Sequence, residues 1–63
     1  MDDLDKMILL QLSLGSKTKD ISKYVPLSLR AIENRKRRLK EIFNVKASGD
    51  RELLEQAKKS GYI

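Results

Sequence analysis

The sequence predicts an all-α fold, a four-helix bundle, on three observations. Apolar residues recur at spacings of three and four along four segments. Each segment opens near Ser, Thr or Asp and closes near Gly, Asn or Pro, residues that start and stop helices. No run alternates apolar and polar residues as a half-buried strand would.

The first helix is expected over residues 2–13. Leu4, Ile8 and Leu12 repeat every four residues, and Met7, Leu9 and Leu10 widen the stripe. Asp2, Asp3 and Asp5 sit at its start, where the helix dipole favours negative charge, and Gly15 marks its end. The second runs from Lys17 or Thr18 to Tyr24, with Ser16 or Thr18 as cap and Asp20 in the first turn. Ile21, Tyr24 and Val25 form a short apolar edge, and Pro26 stops the helix by disfavouring helical geometry at Val25.

The third helix covers residues 29–43, with Ser28 as N-cap and Asn44 as a C-terminal cap. Leu29, Ile32, Leu39, Ile42 and Phe43 form its core stripe, interrupted at Arg35 and Lys36. Their long stems are expected to lie on the core edge with the charged heads in solvent. Arg30, Glu33, Asn34, Arg37, Arg38 and Glu41 fall on the other side. The last helix covers residues 50–60 or slightly less, after a loop containing Gly49. Leu53, Leu54 and Ala57 are its apolar positions, and Gly61 is its C-cap. No linker, repeat or low-complexity segment divides residues 1–63, so a single domain is expected.

Composition narrows the chemistry. A chain of 63 residues buries only about 60% of its unfolded surface, which leaves little room for a deep cleft beside the core. It has no cysteine and no histidine, which removes thiolate nucleophiles, imidazole bases and the usual zinc ligands. No enzyme activity, metal or cofactor is expected. The longest apolar runs fall far short of a membrane span, and a start bearing three aspartates is not a signal peptide. No membrane partner is expected, and the lack of cysteine fits a cytosol.

Charge points to a partner. The formal net charge is +5, and residues 28–43 supply +4 of it through six basic and two acidic residues. Five of the six residues from Arg35 to Lys40 are basic. A basic helix that also carries core residues is denser in charge than solubility requires, and an acidic partner is the natural reading. The second helix, a short turn at Pro26-Leu27 and the longer basic third helix have the layout of a helix-turn-helix. In that motif the second helix enters the major groove of duplex DNA, and lysines and arginines meet the phosphates on its rims.

The run "GSKTKDISKYVPLSLRAIENRKRRLKEIFNV" resembles the DNA-binding domain of the LuxR type, also called NarL/FixJ, found as the effector domain of response regulators in two-component systems. Gly15, Lys19, Asp20, Ile21, Val25, Ser28, Ile32, Leu39, Phe43 and Val45 keep the family pattern or its chemistry. The closing "AKKSGYI" is similar to the family's ending through Ala57, Gly61 and Ile63. The chain departs from the pattern at several places. Pro26 stands where glycine is common, Ala31 replaces threonine, and Arg35 replaces a frequent histidine. Lys36 takes an apolar position, Asp50 takes an arginine position, and the loop before the last helix is about two residues longer.

The resemblance implies transcription regulation by sequence-specific binding to double-stranded DNA, as a homodimer on DNA, with RNA polymerase as a further candidate partner. It implies base contacts from Glu33, Asn34 and Arg37, and phosphate contacts from Lys19, Ser28, Arg30, Arg35 and Arg38. It implies a two-fold contact from the last helix, where Leu53, Leu54 and Ala57 lie. Two other readings stand beside it: a helical module that docks an acidic protein, marked by an exposed apolar patch, and a promoter-binding domain similar to sigma factor region four.

Overall fold

The computed structural model describes residues 2–45 and 49–63. The described residues form four helices and no strand: α1 (Asp3–Ser13), α2 (Thr18–Ile21), α3 (Leu29–Ile42) and α4 (Asp50–Lys59). The expected all-α architecture is therefore present. Residues 46–48, within the loop expected to be longer than the family's, lie outside the described residues. The radius of gyration, 10.4 Å, agrees with the roughly 10.6 Å that a compact chain of this length adopts.

Capping sets the helix ends. The Asp2 carboxylate accepts the Asp5 N–H at 2.9 Å and opens α1, and Ser28 Oγ accepts the Ala31 N–H at 3.2 Å and opens α3. Three helices close on the same motif. At the end of α1, the Ser16 N–H bonds the Gln11 carbonyl and the Gly15 N–H bonds the Leu12 carbonyl. This paired arrangement requires a left-handed residue, and Gly15 supplies it at φ 86°. Asn44 at φ 57° plays the same part after α3, and Gly61 does so after α4.

α2 is shorter than expected. After Ile21 the chain continues in tight turns, with Lys23 N–H bonding Asp20 O and Tyr24 N–H bonding Ile21 O. Leu27 N–H then reaches back to Val25 O at 2.7 Å across Pro26, a three-residue turn. Pro26 thus disturbs more than the residue before it, and Tyr24 ends 61% exposed instead of lining the core.

The core comprises Ile8, Leu9 and Leu12 of α1, Ile21 of α2, Val25, Ile32 and Leu39 of α3, Val45, and Leu53 and Ala57 of α4. Leu4, Leu27, Phe43 and Leu54 pack at its edge. α1 packs against each of the other three helices, and α2 also packs on α3. The stripe expected on α3 is narrower than the sequence suggests, because Leu29 and Ile42 are 43% and 55% exposed. On α1, Met7 and Leu10 likewise lie outside the core. The two-fold contact implied for α4 meets a steric limit: Leu53 and Ala57 are completely buried. They have no surface to offer a second copy in this fold, whereas Leu54 is half-buried at the core edge.

An added Cβ at Gly15 would meet no atom within 4 Å. Gly15→Ala should therefore cost only the left-handed backbone term, about 1 kcal/mol, read as a lower urea midpoint with an unchanged m-value.

Candidate functional site

α3 carries the concentrated charge, and the fold divides that charge in two. Ile32 and Leu39 are fully buried, so the residues between them on the same side, Arg35 and Lys36, are drawn against the protein. One guanidinium nitrogen of Arg35, Nη1, donates to both carboxylate oxygens of Asp2 at 2.9 Å and to Asp5 Oδ1 at 3.2 Å. Arg38 Nη2 donates to the other oxygen, Asp5 Oδ2, at 3.2 Å. Lys36 Nζ donates to Thr18 Oγ1 and Asp50 Oδ2, both at 2.8 Å, and Lys40 Nζ lies 2.9 Å from Asp50 Oδ1. Arg35 and Arg38 tie α3 to the start of α1, while Lys36 and Lys40 tie it to the start of α4.

This arrangement corrects one expectation and bears on another. The heads of Arg35 and Lys36 are not in open solvent: they sit on carboxylates, with Lys36 only 11% exposed. Arg35, expected at a phosphate, has its guanidinium engaged with Asp2 and Asp5. Asp5 itself is 1% exposed, the one buried charged residue among those described. Sequence reading placed it at the helix dipole and missed its burial. The signal was present in its spacing, since Asp5 precedes Ile8, Leu9 and Leu12 by three, four and seven residues and shares their face.

The opposite side of α3 is open. Arg30, Glu33, Asn34 and Arg37 are all exposed, and none has a side-chain partner among the described residues. They recur at intervals of three, one and three residues, which gathers them on one strip of helix. Glu33 and Arg37 are four residues apart yet form no ion pair, which leaves both polar heads to solvent. Arg38 flanks this strip, its side chain 57% exposed while held from below by Asp5. Lys19 is exposed on α2, and Ser28 is exposed with its hydroxyl oxygen capping α3. A cavity of about 510 Å³ borders the strip, lined by Glu33, Lys36, Arg37, Lys40, Glu41 and Val45. Among the described residues no group of three or more acidic side chains could hold a metal ion.

The ties alter proton affinity. Hydrogen bonding from Arg35, assisted by the Asp5 N–H, lowers the Asp2 carboxyl from its ordinary 3.8 to about 2. At Asp50 burial acts to raise the value, but hydrogen bonds from Lys36 and Lys40 outweigh it and the net shift is downward.

No protein-family model, no curated protein and no solved structure matches this chain. The reading of the site therefore rests on its own residues and geometry.

Two outcomes follow from the ties. Asp5→Ala leaves Arg35 and Arg38 without their shared buried carboxylate and should cost about 2 kcal/mol. Asp20→Ala, which removes only the exposed partner of Lys23, should cost under about 1 kcal/mol. Chemical denaturation of the two variants makes the comparison. For pH, the folded values of Asp2 and Asp50 lie below their unfolded values. Their contribution is complete above about pH 5 and is lost as pH falls through the unfolded and then the folded values. The urea midpoint should drop as pH falls from about 4 to about 2, and Asp2→Asn should flatten that drop.

Proposed function

We propose that this chain is the DNA-binding domain of a transcriptional regulator, of the LuxR-type helix-turn-helix kind, and that α3 enters the major groove of duplex DNA. The observation that carries the reading is the exposed strip on α3: Arg30, Glu33, Asn34 and Arg37 stand together without partners, while the neighbouring basic residues are held in ion pairs. Arginine and asparagine are the side chains that make two-pronged contacts to guanine and adenine, and glutamate accepts from cytosine. From Arg30 to Arg37 the strip extends about 10 Å along the helix, the rise of roughly three base pairs.

In this reading Arg37, Asn34 and Glu33 meet base edges. Arg30, Lys19 and Arg38 meet phosphates, with Ser28 at the α3 N-terminus beside them, where the helix dipole attracts an anion. Arg35 acts differently from the family position it occupies. It anchors α3 to Asp2 and Asp5 and so helps set which side of the helix faces out.

Two departures from the LuxR pattern compensate each other. Lys36 stands at an apolar position and Asp50 at an arginine position, and here the two side chains meet at 2.8 Å. An isolated lysine at the core edge would oppose the fold. A lysine matched by an aspartate at the start of α4 preserves it.

Fluorescence anisotropy on a random-pool duplex across a salt series tests the reading. Affinity should fall steeply with log salt, with the slope of several phosphate contacts. Once a preferred site is selected from the pool, Arg37→Ala should lose about 1–3 kcal/mol on that site and relax discrimination at one base pair. Arg38→Ala should weaken every duplex alike. A folded protein that binds no duplex at low salt would overturn the proposal.

A further inference from the structure

A carboxylate opposes phosphate, yet Glu33 stands in the middle of the strip proposed to meet DNA. Its charge is not spent within the protein. Arg30 lies three residues before it and Arg37 four residues after it, both at spacings that bring side chains together on a helix. Glutamate four residues ahead of a cationic side chain is the favoured order for an ion pair. Glu33 nevertheless pairs with neither arginine, and Lys36 and Lys40, at three and seven residues, are held by Asp50. A full negative charge is therefore left to face whatever α3 meets.

The major groove decides which base tolerates it. Guanine presents two acceptors there, N7 and O6, and thymine presents the acceptor O4 and a methyl group. Adenine sets the acceptor N7 beside its amino group. Only cytosine offers an amino donor with no acceptor on its own edge. We infer that Glu33 sets the sequence preference of α3 by exclusion: its carboxylate is accommodated opposite cytosine and rejected opposite the other three bases. The inference rests on the DNA-binding reading and deepens it, because Glu33 lowers affinity for wrong sequences and for phosphate at large, while Arg37 raises affinity for the right one. Arg37 lies about 6 Å further along the helix, under two base-pair steps. The cytosine that admits Glu33 and the guanine that meets Arg37 therefore fall within about two base pairs of each other.

Glu41 provides the comparison. It is the other acidic residue of α3, exposed and without a side-chain partner among the described residues. It lies near the C-terminal end of the helix, away from the half that reads base edges. Its charge opposes every duplex alike.

Fluorescence anisotropy on the full chain, with a site selected from a random pool and its single base-pair variants, tests the inference. The unaltered chain should prefer cytosine at one base pair by roughly tenfold. Glu33→Gln keeps the size of the side chain, removes its charge and adds an amide donor. It should bind the random pool several-fold more tightly and largely erase the cytosine preference. Glu41→Gln makes the same change in net charge, and it should tighten all duplexes by one common factor with the preference intact. Circular dichroism should report unchanged helix for both variants, since neither side chain lies in the core. A selected site without such a cytosine, or a Glu33→Gln chain that keeps the preference or binds the pool no better, would overturn the inference and leave the DNA-binding reading standing. Loss of the preference in Glu41→Gln as well would reduce Glu33 to a share of the net charge and overturn it too. A folded chain that binds no duplex would overturn both.

Discussion

The carboxylate of Asp5, buried on the inner face of α1, is the group on which the arrangement of α3 depends. A buried charge is tolerated only when it is paired and hydrogen-bonded. Arg35 and Arg38 meet that requirement, one on each oxygen. The pairing constrains the rotation of α3 about its own axis. With Arg35 and Arg38 directed to α1, helical geometry sends Ile32 and Leu39 into the core and Arg30, Glu33, Asn34 and Arg37 outward. A different rotation would leave Asp5 uncompensated and also bury charge beside Leu39.

The small core explains why so much of the order is electrostatic. Between Ile32 and Leu39 the inward side of α3 carries Arg35 and Lys36 in place of apolar residues, and with Arg38 and Lys40 they make four basic anchors. Such pairs add less net stability than well-packed hydrocarbon would, because each charge must leave water. They are selective, however: a carboxylate accepts a guanidinium or ammonium only in a narrow set of positions. Asp2 and Asp5 hold α3 to α1, and Asp50 holds it to α4, so the anchors set register where packing alone is thin. The basic run is thus not one surface. Arg35, Lys36 and Lys40 belong to the framework, Arg37 belongs to the exposed strip, and Arg38 joins the two.

Much of this protein was legible in the linear chain. Spacings of three and four, with Ser28, Gly15, Asn44 and Gly61 at the ends, determined four helices to within a residue or two, apart from the shortened α2. These are local properties, governed by backbone geometry and capping over a few residues. The exposed strip on α3 was legible for the same reason, since polar residues at helical spacing must share a face. What only the tertiary structure decided was the partner of each charge and the burial of each edge residue. Asp2 and Asp5 lie about thirty positions from Arg35, and while spacing puts Asp5 on the inner face of α1, nothing local names the arginines that meet it there. Leu29 and Ile42 carry the right hydropathy for the core yet stay exposed, because the neighbours that would cover them are set by helix packing, not by their own segment.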